Sequence, residues 1–271
     1  MKFACSSIAF APGEIEASFD FLASEGITGI ELAPTTVWPG WQGATPRAAR
    51  ELARRWQDRG FAIPALQAVT FDCDAGELFG TTERVARLEQ HLAFVAELAG
   101  AAGASVVVFG APRVRRRGEL SIAEAIESAA PVLRRIARVF SDEGVVLALE
   151  PVPDAYGCDF INTTGQAIQL AKIVGMEGLA VNLDAGALWL AGERPHDHLP
   201  AAAAWLRHYH ISEPELGEFI APHAPHAQWL LELKALGWSE WCSIEMRRPK
   251  GDFAVAGPWR ALRAVRGASS S

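Results

Sequence analysis

A helix-period stretch, then a glycine, then a short apolar run ending on a polar residue: this unit recurs along the chain and limits what it can fold into. It is read at 26–31, 60–67, 103–110, 144–150, 178–184 and 237–245. A glycine supplies the left-handed residue that ends a helix. About five apolar residues after it describe a strand buried on both faces. Helix-period stretches lie at 13–25, 46–59, 82–102, 121–143, 163–174, 195–204, 223–236 and 254–267. Phe3–Ser7 and Leu206–Ile211 complete the set, so eight strands alternate with eight helices. Eight such units in one chain predict a closed parallel (β/α)₈ barrel. An open doubly wound sheet is the competing architecture, but no glycine-rich phosphate loop follows the first strand.

Half of the 271 residues are hydrophobic and 21% are charged, which is ample for one large core. A single barrel domain over 1–267 is expected. Residues 268–271, small and polar, are expected to form a flexible tail. The net charge of −7 disfavours a nucleic-acid partner, which usually shows a basic footprint. The one basic run, Arg113 to Arg117, reads as a solvated loop. Four scattered cysteines without CxxC spacing read as reduced thiols. No apolar stretch approaches the roughly 20 residues that span a bilayer. The N-terminal run meets Pro12-Gly13-Glu14 too early for a secretory h-region. A cytoplasmic protein with no membrane partner is therefore expected, and the apolar barrel exterior allows a homo-oligomer.

In such barrels chemistry gathers where the strands end. Those ends hold Glu31, Gln67, Glu150, Asp184, His210 and Glu245. Singly, each is an ordinary strand-end polar residue; together, the last four strands all stop on a metal-competent side chain. Residues two apart share a strand face, which pairs Ala148 with Glu150, Asn182 with Asp184, and Ser243 with Glu245. If those partners face the axis, three carboxylates converge there, and they need a cation or protons between them. Three oxygen donors and one imidazole suit Mn²⁺, Mg²⁺ or Co²⁺, with Zn²⁺ also admissible.

The motifs Leu-Ala-Leu-Glu150-Pro, Val-Asn-Leu-Asp184-Ala-Gly, His208-Tyr-His210-Ile-Ser-Glu-Pro and Ser-Ile-Glu245-Met resemble the xylose-isomerase-like barrel family of sugar and sugar-phosphate isomerases and epimerases. The resemblance runs over essentially the whole chain. It implies one divalent metal on Glu150, Asp184, His210 and Glu245. It also implies that Glu150 and Glu245 move protons on opposite faces of a small sugar, polyol or sugar acid through a metal-stabilised enediolate. The chain departs from the family's ketose epimerases at Ala187, where they carry a substrate-contacting histidine. That departure keeps two alternatives in view: a dehydratase of a cyclic polyol ketone using the same metal, and a non-catalytic sugar-binding barrel.

Five further residues are candidate substrate contacts. Trp38 follows strand two and could wall a sugar ring; Glu31 and Gln67 could bond hydroxyls; Arg247 follows the strand-eight glutamate. Arg115 follows Gly110-Ala111-Pro112, which resembles a turn that carries a substrate-facing arginine in relatives. His208 reads as a core histidine, and His223 and His226 as surface groups or neighbours of the site. The four lysines all lie away from strand ends, which removes a Schiff-base aldolase.

Overall fold

The structure is a computed structural model that describes residues 1–259 and 261–263. Its order begins β1 (Lys2–Ser6), α1 (Phe19–Ser24), β2 (Gly29–Glu31), α2 (Pro46–Gln57), β3 (Ala65–Leu66), α3 (Thr82–Ala102), β4 (Val106–Phe109) and α4 (Ile122–Asp142). It continues β5 (Val146–Leu149), α5 (Thr164–Val174), β6 (Leu179–Asp184), α6 (Ala185–Ala191), α7 (Pro195–Ala202), β7 (Leu206–Ser212), α8 (His226–Ala235), β8 (Trp241–Glu245) and α9 (Phe253–Ala256). All eight strands are parallel, in the order β2-β1-β8-β7-β6-β5-β4-β3. The two ends of that row meet through bridges from Gly29 to Ala62 and from Leu32 to Leu66. The Ile30 N–H donates to the Ala62 carbonyl at 2.9 Å, and the Gln67 N–H to the Leu32 carbonyl at 3.0 Å. The expected (β/α)₈ barrel is what forms. Among the described residues no helix is long and apolar enough to cross a membrane.

Local chemistry sets the helix ends. Thr45 caps α2 with Pro46 behind it, Thr81 caps α3, and Ser121 with Glu124 forms a reciprocal capping box on α4. Gly103 ends α3 at φ 74°, a left-handed residue of the kind the glycine pattern anticipated. Two expectations shift. The stretch 13–25 becomes helical only from a 3₁₀ turn at Glu16–Ser18 onward. The short α6 was not anticipated: it starts directly at Asp184 with no intervening loop, because the Asp184 carboxylate caps it. The expected last helix over 254–267 and the tail 268–271 run beyond the described residues.

Strand alternation sorts the core. Leu147, Leu149, Val181, Leu183, Tyr209 and Ile211 join the outer layer against the helices. Ala65, Val106, Val108, Ala148 and Ala180 fill the barrel itself. Register then fixes which polar groups face inward: Asp184 lies beside His210, His210 beside Ser243, and Ser212 beside Glu245.

Helix α4 packs tightly on the start of β6. A Cβ on Gly178 would stand 1.9 Å from the Ala137 carbonyl oxygen and 2.6 Å from Ser141 Oγ. Gly178→Ala should therefore destabilise the fold by about 1–3 kcal/mol, read as a lower urea midpoint at unchanged slope. An unaltered midpoint would contradict that packing.

Candidate metal centre

Glu150, Asp184, His210 and Glu245 each place a ligand atom so that all four lie within 4.8 Å of one another. They come from the ends of β5, β6, β7 and β8, the four successive strands singled out by the sequence. His210 stands in the middle. Its Nδ1 is 3.1 Å from Glu150 Oε1, 3.1 Å from Glu245 Oε2 and 3.7 Å from Asp184 Oδ2. It nevertheless makes no hydrogen bond, and its atom is buried.

The far side of the ring explains why. His210 Nε2 lies 3.1 Å from Glu31 Oε1, and His208 Nε2 lies 3.0 Å from Glu31 Oε2. A carboxylate only accepts, so a proton sits on His210 Nε2 and Nδ1 is the nitrogen that would face a cation held among the carboxylates. Glu31 is fully buried. Burial works against its ionisation, yet His210 and His208 hold it well below the usual carboxylate range.

Each of the three carboxylates is also braced. Asn182 Nδ2 donates to Glu150 Oε1 at 2.7 Å, and Gln67 Nε2 to Glu245 Oε1 at 2.7 Å. Asp184 accepts the Ala187 N–H at 2.7 Å on Oδ1 and the Ser212 hydroxyl on Oδ2. Gly110 leaves room for Glu150, since a Cβ there would stand 2.5 Å from its Oε2. The electrostatics record the crowding. Burial, then Glu150 and Glu245, push Asp184 up to about 7. Burial alone would lower His210, but the carboxylates around it, Glu31 and Glu245 foremost, raise it well above its ordinary value. Without a cation, protons must sit among these groups. An orphaned imidazole nitrogen facing three carboxylates is a donor set that fits one divalent ion.

A cavity of about 310 Å³ opens above the cluster. Ala68, Ala111, Glu215 and Leu216 border it, and all four hold left-handed φ values of 51°, 38°, 58° and 56°. Such non-glycine strain collects at functional rims, where surrounding structure maintains it. Glu213, buried at the end of β7, accepts the His223 N–H at 2.8 Å and also holds His226 Nε2, tying residues 223–226 to the rim.

The remaining sequence candidates divide. Gln67 and Arg247 line the cavity. Glu31 does not: it lies behind His210, where it braces the ring instead of meeting a hydroxyl. Trp38 is buried in the core, and the cavity wall does not include it. Arg115 is fully buried, with Nη2 donating to the Glu150 carbonyl at 2.6 Å, so it buttresses the end of β5 from outside the cavity. His208 is the core histidine expected. Tyr156, Glu215 and Leu216 were missed; they lie on loops whose course no strand pattern predicts. Ser212 was missed too, although its even spacing from His208 and His210 placed it on the inward face.

The family model described as xylose isomerase-like TIM barrel matches residues 19–266. No curated protein sequence matches the chain. Among solved structures, 3-keto-D-glucoside 4-epimerase YcjR from E. coli superposes with a TM-score of 0.78 at 18% identity, covering 98% of this chain and 99% of its own. D-psicose 3-epimerase with D-tagatose from Clostridium cellulolyticum H10 gives 0.76 at 13%, covering 100% and 97%. The IOLI protein, described with a binding zinc atom, gives 0.70 at 17%, covering 99% and 96%. At these identities the likeness shows the fold.

Ligands must shed protons to bind a cation, and Asp184 titrates near 7. Mn²⁺ affinity should therefore rise between about pH 6 and 8 with proton release. Calorimetric titrations in two buffers of different ionisation enthalpy check this; pH-independent affinity without proton release would contradict it.

Proposed function

The chain belongs to the xylose isomerase-like TIM barrel family, and from that premise we propose that it is a divalent-metal-dependent isomerase or epimerase of a small sugar-like substrate. One observation carries the reading: the buried Nδ1 of His210, unpartnered amid Glu150, Asp184 and Glu245. Those four residues would hold the ion. When bound, the ion supplies Lewis-acid stabilisation to oxygens that gain charge as a proton leaves the neighbouring carbon.

The rest is the work of the chain's own groups. Glu150 and Glu245 stand on β5 and β8, separated around the barrel by β6 and β7, and both border the cavity. One carboxylate takes the proton α to a carbonyl, and the other returns it. Return to the same carbon from the opposite face inverts it; return to the neighbouring carbon interconverts aldose and ketose. Asn182 and Gln67 hold one oxygen of each glutamate and so aim the other. Gln67 Oε1 is buried and unpartnered, which leaves it able to accept a substrate hydroxyl. Asp184 and His210, pinned by Ser212 and Glu31, remain ligands. The named activities of the two epimerase neighbours support a sugar-like substrate.

Mn²⁺-loaded protein incubated with ketoses in D₂O should place deuterium α to the carbonyl with every hydroxyl retained. Glu245→Gln should cut that exchange by about 100-fold or more while weakening Mn²⁺ binding far less. Full turnover by Glu245→Gln would exclude the two-glutamate mechanism. Loss of water in place of exchange would move the reading to a dehydratase, and absence of exchange with any metal to a binding barrel.

A further inference from the structure

Arg247 lies two residues beyond Glu245. Residues two apart on extended chain share a face and stand roughly 7 Å apart, so the arginine rises on the side of the cavity it lines. Its position is fixed from both sides: Met246 is fully buried, and the Arg247 N–H donates to the Leu216 carbonyl at 2.9 Å. Its guanidinium makes no hydrogen bond or ion pair with any described residue. The adjacent Arg248, by contrast, is spent on Glu14 at 3.0 Å.

Tyr156 lines the same cavity; burial raises its phenol pKa, and the charges of Asp184 and Glu215 raise it while that of Arg247 lowers it. The Tyr156 hydroxyl accepts the Glu215 N–H at 2.7 Å, which leaves its own proton to donate. Glu215 and Arg247 are both exposed to water there, which screens both charges. Ala111, Pro112, Val152, Pro153 and Ala187 give the cavity an apolar wall, with the carboxylates of Glu213 and Glu215 also lining it. Proline has no N–H to offer, and the apolar side chains offer no partner to a hydroxyl. The cavity thus carries polar groups on a largely apolar wall. A guanidinium fork and a phenol O–H lining one cavity match a carboxylate or phosphate.

We infer that the substrate carries an anionic group, carboxylate or phosphate, at the end remote from the ligand cluster, and that Arg247 with Tyr156 binds it. This rests on the metal-dependent reading of the same cavity.

The test is calorimetric binding to Mn²⁺-loaded protein of matched neutral and anionic probes. D-fructose against D-fructuronate forms the carboxylate arm, and D-fructose against D-fructose 6-phosphate the phosphate arm. One anionic probe should bind about tenfold or more tightly than D-fructose, and the arm in which it does names the group. Arg247→Gln should abolish that preference with Mn²⁺ stoichiometry unchanged, and Arg247→Lys should restore part of it. Equal affinities in the wild type, no binding of either anion, or a preference that survives Arg247→Gln would overturn the inference. Deuterium exchange into neutral ketoses by the wild type would then leave the proposed function standing. A wild-type protein that takes no Mn²⁺ would overturn both.

Discussion

Three carboxylates brought to the ends of β5, β6 and β8 repel one another, and the upper rim of the barrel is organised around that repulsion. Burial makes it worse, because charge is more costly away from water. The fold answers in two ways. Neutral donors hold one oxygen of each glutamate, Asn182 on Glu150 and Gln67 on Glu245, and both oxygens of Asp184, through Ser212 and the α6 backbone. A single imidazole enters the middle, oriented from behind by a buried carboxylate, Glu31. What remains uncompensated is an excess of negative charge facing one unpartnered nitrogen.

The surroundings are consistent with a rim shaped by that centre. The interior of the barrel beneath it is filled by small apolar side chains such as Ala65, Ala148 and Ala180, while the strain lies above, at Ala68, Ala111, Glu215 and Leu216. Ordinary packing below supports an unfavourable arrangement above, a division that barrel enzymes commonly show. Glycine serves the same end at Gly110, where any side chain would meet Glu150.

Much of this was legible in the chain. The glycine-then-strand unit marks six of the eight strands, Phe3–Ser7 and Leu206–Ile211 supply the other two, and the parity of Ala148 with Glu150 and Asn182 with Asp184 identifies the inward face. What sequence could not show depends on contacts across the barrel. Glu31 is 179 positions from His210, and only closure of the barrel makes them neighbours. Trp38 and Arg115 sit on loops where direction, not residue type, decides between core and cavity; both turn into the protein. Tyr156 reaches the rim by a loop with no periodicity to read. The short α6 is hidden because its start signal, Asp184, is at once a metal-competent strand end and the cap of the helix.

Metal content tests the centre most directly, on wild type and Asp184→Asn purified side by side without chelator and titrated with Mn²⁺. Asparagine keeps one oxygen to cap α6 while removing the charge and the oxygen that accepts from Ser212, and circular dichroism checks that both proteins fold alike. The wild type should take up about one equivalent and the variant far less. No uptake by the wild type, or equal uptake by both, would contradict a divalent cation held at the ends of β5 to β8.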